Sequence, residues 1–215
     1  IRSWGEAAVP TLPVFFRRIP GVRHQNQLAK LKKLPEPVGE TEPGPELNDE
    51  QRVAVEAVAT ATGYSPFLLF GVTGSGKTEV YLHVMERILA RDPEAQVLLL
   101  VPEINLTPQL EGRVRKRFPG EHVVTLNSDL ADMERARSWL AVHEGRARVL
   151  VGTRMSVFAS FRKLALVIVD EEHDQSFKAG DGLRLFGSRP CSLASSQERH
   201  SCCVGLRYAV DRELG

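Results

Sequence analysis

The segment Gly71-Val72-Thr73-Gly74-Ser75-Gly76-Lys77-Thr78 constrains this chain more than any other. It fits the pattern G-x-x-x-x-G-K-[ST] in the context that gives the pattern physical meaning. An apolar run, Phe67–Phe70, leads into it, and a helical stripe of Tyr81, Val84, Met85, Ile88 and Leu89 leads out. Glycines let backbone N–H groups close around phosphate oxygens with no Cβ in the way. The helix that follows adds its positive N-terminal end. Lys77 is expected to reach the β- and γ-phosphates of ATP, and Thr78 to bind Mg2+.

A strand that feeds such a loop belongs to an α/β fold, and the downstream pattern agrees. Val97–Val101, His122–Leu126, Val149–Val151 and Leu164–Val169 read as buried strands. Leu106, Leu110 and Val114 form a helical stripe ending near Pro119, and Met133, Ala136 and Leu140 form another. Upstream, Asn48 is a suitable N-cap with Gln51 three residues on, as in a capping box. Val55, Val58, Ala59 and Thr62 then share a face, and Gly63 suits the stop. Alternating strands and helices imply a parallel sheet covered by helices on both faces.

The last of these strands ends in Asp170-Glu171-Glu172-His173. An acidic residue at the C-terminal end of a buried strand faces the same crevice as the phosphate loop. Asp170 is expected to hold the magnesium, and Glu171 to orient or deprotonate the attacking water. With Lys77 these form a catalytic set for nucleoside triphosphate hydrolysis. They leave open what the energy moves.

Charge does not decide it. The formal net charge is +1, so any nucleic-acid contact must come from local clusters. One such stretch holds Arg17, Arg18, Arg23, Lys30, Lys32 and Lys33 within residues 1–34; it is either a solvated face or a phosphate-contacting surface. Residues 35–46, with four prolines, cannot build a core and read as a linker. The three cysteines, Cys191, Cys202 and Cys203, have no zinc-ligand spacing and read as free cytosolic thiols. No apolar run is long enough to span a membrane. The chain starts at Ile1 without a secretory segment and reads as cytosolic and cut at its N-terminus.

The wording between the two sites narrows the class. Asp170-Glu171-Glu172-His173 resembles the DEEH box of superfamily 2 helicases. LLFGVTGSGKTEVYL, LVPEINLTPQL, VGTRMSVF and VIVDEEHDQSFKAGDGLR together resemble the PriA-type replication-restart helicases, as does Leu47–Gln51. The resemblance covers residues 47–184 continuously. It implies a RecA-like first helicase lobe, incomplete at the C-terminus, within a 3′-to-5′ DNA helicase that reloads the replisome at stalled forks. Residues 1–34 would be the end of an N-terminal DNA-binding region. The resemblance further implies that Gln51 contacts adenine and that Thr107, Gln109 and Arg154 lie towards the DNA. Implied partners are single-stranded and forked DNA, primosome proteins and single-strand-binding protein, in the bacterial cytoplasm at the nucleoid, with no membrane. One departure is Asn127-Ser128, where the family usually has His-Ser.

After Arg184 the resemblance stops, and residues 185–215 read as a non-family, disordered tail rich in Ser, Arg and Cys. Back-translated with suitable codons, this stretch yields in another frame the blocks Ser-Ala-Arg-Asp-Leu and Leu-Gly-Ser-Ala-Thr-Pro that the family carries next. A single frame slip near Leu185 accounts for both; a gene whose alternative frame lacks these blocks would remove that reading. The family's second motor domain, arginine finger and zinc module then have no counterpart in this sequence. The expectations are an unpaired sheet edge with poor solubility, weak nucleotide binding and negligible unwinding alone, since an arginine finger contributes about 10³–10⁵ in rate. Two other readings compete: a DNA-binding fragment without catalysis, using residues 1–34 and Arg154, and another class of P-loop ATPase.

Overall fold

The computed structural model describes residues 12–17, 31–32, 34, 43–71, 74–172, 174 and 177, and the backbone of 202–208. Helix α1 is Val14–Arg17 and α2 is Asp49–Ala59. Then β1 (Ser65–Gly71), α3 (Lys77–Arg91), β2 (Gln96–Leu100), α4 (Pro108–Arg117) and β3 (His122–Leu126) follow. The chain continues through α5 (Asp132–His143), β4 (Ala147–Gly152), β5 (Leu164–Val169) and β6 (Cys202–Tyr208). Short 3-10 turns at Glu103–Asn105 and Arg154–Phe158 follow β2 and β4.

All five strand pairings are parallel, in the order β1-β6-β5-β2-β4-β3. Alternation along β2 shows how both faces are covered. Val97, Leu99 and Val101 pack in one core with α2, α3 and α4, through residues such as Val55, Met85, Ile88 and Val114. Leu98 and Leu100 pack in a second core with Ala141 and Val142 of α5 and with Phe177. Helices on both faces explain why the central strands read as unbroken apolar runs. The capping box is present as expected: Asn48 Oδ1 accepts from Gln51 N at 2.8 Å, and Asn48 N donates to Gln51 Oε1 at 3.0 Å.

The tail corrects two expectations. Residues 202–208 are a strand, and the facing sides of β1 and β5 are both paired by it. β6 lies between β1 and β5: Val204 is in register with Phe67 on one side and Ile168 on the other. Without it the facing rows of N–H and C=O groups on β1 and β5 would have no partner, a cost that any chain segment able to extend can remove. Composition concealed this, because Ser and Arg dominate the tail while Cys202-Cys203-Val204 is a short apolar run within it. The remaining residues of 185–215 lie outside the described residues.

Part of the segment before the linker packs on the lobe. Phe15 and Leu31 are buried against Ala136 and Leu140 of α5. The Phe16 ring sits 5.2 Å from that of Trp139, and Val14 N donates to Asp132 Oδ1 at 3.0 Å. Of the basic stretch, Arg18, Arg23, Lys30 and Lys33 lie outside the described residues, and Lys32 pairs with Glu144 at 3.6 Å. Among the described residues no helix is long and apolar enough to cross a membrane.

Candidate functional site

The C-terminal ends of β1 and β5 bring the two sequence motifs together. β1 delivers Gly71 and α3 begins at Lys77. Between them Gly74 and Gly76 have φ of 79° and 80°, a region that costs a residue with a Cβ about 1–2 kcal/mol. The loop is also tightly wrapped: a Cβ on Gly71 would stand 2.8 Å from Ser75 Oγ, and one on Gly76 2.4 Å from Gln51 Nε2. This is a cradle that side chains would fill, and it suits the approach of phosphate oxygens to backbone N–H groups. Val72 and Thr73 lie outside the described residues.

Lys77 is only 5% exposed. Its ammonium donates to the Gly71 carbonyl at 2.5 Å and lies 3.4 Å from Ser75 Oγ. Burial pushes its pKa below the ordinary lysine range, while the negative charges of Glu171 and Asp170 oppose that shift. The acidic box therefore lies within electrostatic reach of the phosphate loop. Thr78, half-buried, is the next residue of α3.

Asp170 is fixed by the sheet itself. Its N–H donates to Leu100 O at 2.8 Å, which extends the β5–β2 ladder, and its Oδ1 accepts from Glu171 N at 3.0 Å. Glu171 has φ of 53° and is the one non-glycine with positive φ among the described residues. A bulky residue held there marks local strain, which gathers at functional sites. His173 lies outside the described residues.

Gln51 does more than the capping box requires. Its Oε1 closes the cap, and its Nε2 donates to Ser75 O at 3.0 Å, which ties α2 to the phosphate loop. No local pattern signals this second bond. Gly76→Ala would strain the backbone and drive a Cβ into that amide. We expect a loss of about 1–3 kcal/mol in stability by urea denaturation. On a Gln51→Ala background, which itself loses the cap and the Ser75 bond, the further cost of Gly76→Ala should shrink to the part due to φ.

The other expected residues lie along the same sheet edge. Thr107 caps α4, its Oγ1 accepting from Leu110 N at 3.3 Å, and Gln109 is exposed in the first turn of that helix. Thr153 is buried, its N–H donating to Leu126 O at 3.2 Å, and it projects the half-buried Arg154 at the start of the 3-10 turn. Gly152 must be glycine there, because a Cβ would stand 2.7 Å from Leu126 O. Asn127, the departure from the family, uses its Oδ1 to accept from Asp129 N and Leu130 N at 3.0 and 2.9 Å, closing the turn after β3.

Comparison with known proteins agrees with this geometry. The DEAD/DEAH box helicase family matches residues 48–196, running past Arg184 into the tail. The chain is 42% identical over 173 residues to the replication restart protein PriA of Bacillus subtilis, covering 79% of this chain and 21% of that protein. It is 41% identical over 152 residues to PriA of Haemophilus influenzae, covering 71% and 20%. The chain thus spans about a fifth of the length of these relatives. Among solved structures it resembles RecG bound to a three-way DNA junction, with a TM-score of 0.58 and 20% identity over 88% of this chain and 23% of that one. The UvsW helicase of bacteriophage T4 gives a TM-score of 0.52 at 17% identity, over 85% of this chain and 59% of that one. At those identities the likeness concerns the fold, which is the RecA-like one.

Proposed function

Because the chain belongs to the DEAD/DEAH box helicases, we propose that it is the ATP-binding lobe of a 3′-to-5′ DNA helicase that restarts stalled replication forks. The observation that carries this is the meeting of Lys77 with Asp170 and Glu171 at the C-terminal end of one parallel sheet, in a chain 42% identical to a replication restart protein. The family implies the use of ATP and Mg2+. Bound ATP supplies the phosphoanhydride whose cleavage drives movement.

The chain's own residues divide the work. Backbone N–H groups of Gly71–Thr78 and the Lys77 ammonium hold phosphate oxygens, and Gln51 meets the adenine. Thr78 and Asp170 hold Mg2+. Glu171 orients or deprotonates the attacking water. Thr107, Gln109 and Arg154 face a DNA strand and grip its backbone without reading bases. Partners in the assembled system are single-stranded and forked DNA, primosome proteins and single-strand-binding protein, in the bacterial cytoplasm at the nucleoid. A zinc module would lie in other parts of the full-length family's sequence. Residues 1–34 form the end of a DNA-binding region, 35–46 a linker, 47–184 the lobe, and 185–215 a frame-shifted tail that the sheet has partly taken in.

The experiment is a fluorescence titration of the chain with ATP, with and without Mg2+, and with single-stranded DNA at several salt concentrations. The reading requires Mg2+-dependent nucleotide binding; its loss in a folded chain would refute it. Salt-dependent DNA binding without nucleotide binding would favour the runner-up, a DNA-binding fragment that uses residues 1–34 and the half-buried Arg154.

The lowered pKa of Lys77 gives this binding a pH signature. Phosphate oxygens favour the charged ammonium, so its pKa is higher in the bound state than in the free one. Affinity should therefore fall as pH rises through the free-state pKa, which lies below the ordinary lysine value of about 10.4. Arginine stays charged throughout this range. Lys77→Arg binds more weakly but should show a flatter profile over about pH 7–10.

A further inference from the structure

Helix α3 leaves the phosphate loop with a charged stripe that the nucleotide chemistry does not use. Glu79, His83 and Glu86 recur at helical spacing, so they share one face. Arg113 and Arg117 do the same on α4. The two stripes meet. Glu79, whose side chain is 9% exposed, pairs with Arg113, which is half exposed. Arg117, 5% exposed, pairs with Glu86: its Nη2 donates to Oε2 at 2.8 Å, and its Nε lies 2.8 Å from Oε1. His83 Nε2 lies 3.2 Å from Arg117 Nη2, and His83 Nδ1 lies 3.4 Å from Glu86 Oε2.

The position of these groups gives them a possible use beyond packing. Glu79 directly follows Lys77 and Thr78, in the turn of α3 that a nucleotide would touch. Arg113 lies one turn beyond Gln109, on the same face of the helix that Thr107 caps. Glu79, Arg113 and Gln109 line one cleft of about 510 Å3 between the two helices. The ion pair is directional, with Glu79 buried and Arg113 half exposed. It resists relative sliding more than an apolar contact does. Glu79 Oε2 is buried without a hydrogen-bond partner among the described residues, and Arg113 holds the other oxygen of this carboxylate.

We propose that the Glu79–Arg113 pair links nucleotide occupancy at the phosphate loop to the DNA-facing end of α4. These are positioning residues, touching neither ligand, and the inference rests on the reading of the two surfaces under Proposed function. A shift of the first turn of α3 on phosphate binding moves Glu79, and Arg113 carries the shift to Gln109 one turn away. The Arg117–Glu86 bond holds the last residue of α4 against the middle of α3 and serves as the pivot.

The test is a linkage measurement on the whole chain. ATP–Mg2+ affinity is measured with and without saturating oligothymidine, for the wild type, Glu79→Gln, Arg113→Gln, the double variant and Arg113→Lys. Wild-type affinity should change by about fivefold or more when DNA is bound, the low end of measured couplings. In each Gln variant the ratio should collapse towards one, while affinity for either ligand alone stays within about twofold. The double variant should be no worse than either single one, and Arg113→Lys should recover part of the ratio. Arg113 is half exposed, so its variants should fold even where Glu79→Gln does not. An Arg113→Gln chain that keeps the wild-type ratio overturns the link and leaves the proposed function standing. A wild type that binds both ligands without linkage also overturns it. A wild type that binds neither overturns the proposed function, and the link with it.

Discussion

Replacing Lys77 with alanine should lower the affinity for ATP–Mg2+ by roughly a hundredfold and leave the folded chain as stable as before or slightly more so. The two halves of this result have one cause. Lys77 is 5% exposed, and desolvation already pushes its pKa down. Charged and buried, it is a cost to the folded state, partly offset by the Gly71 carbonyl it bonds and by the charges of Asp170 and Glu171. Phosphate oxygens would turn that cost into binding. Charge-assisted hydrogen bonds contribute about 1.5–3 kcal/mol each, so losing two phosphate contacts gives the stated factor or more. Equilibrium titration and urea denaturation of the same variant check both halves. Equal losses of affinity and stability would mean that Lys77 is a structural residue, and the site would have to be reassigned.

The parts of this site that were legible in the sequence are those written within one turn or one strand. Phe67–Phe70 running into the glycine loop, and Leu164–Val169 ending in Asp170, became β1 and β5 with the two motifs at their C-terminal ends. The cap at Asn48 and Gln51 was legible because it spans three residues. What was not legible joins distant residues. Gln51 reaches Ser75 across 24 positions, and Glu79 reaches Arg113 across 34. Neither partner choice leaves a local period. The strand Cys202–Tyr208 was missed for a related reason, since its place is set by open ladders on β1 and β5 rather than by its own composition. The strain at Glu171 was invisible too, because backbone conformation at one non-glycine residue has no sequence signature.

Gln96→Leu should cost the chain roughly 4 kcal/mol or more in stability while leaving nucleotide affinity of the folded protein within about twofold. Gln96 opens β2 as a polar residue before Val97–Leu100, and it is fully buried. Its Nε2 donates to Val142 O at 2.8 Å and Ala147 O at 2.9 Å. Its Oε1 accepts from Arg162 N at 2.8 Å and Lys163 N at 3.0 Å. One amide thus satisfies four backbone groups, at the end of α5, the start of β4 and the approach to β5, beside the register shift between β2 and β5. Leucine matches the size and satisfies none of them; Val142 O keeps its bond from Gly145 N at 3.0 Å, and each buried group that is left unpaired costs about 1–3 kcal/mol. These contacts lie at the N-terminal ends of the strands, opposite the phosphate loop, which is why stability and affinity should separate. Gln96→Glu sharpens the test. A carboxylate there still accepts from residues 162 and 163 but faces two carbonyl oxygens, so burial and repulsion raise its folded-state pKa above the unfolded value of about 4.3. The deficit against wild type should be full above the raised pKa. It should shrink as pH falls through that value, because the protonated acid can donate to one of the two carbonyls. Urea denaturation at several pH values reads this directly, and a Gln96→Glu deficit independent of pH would show that the four bonds do not control the fold at this end of the sheet.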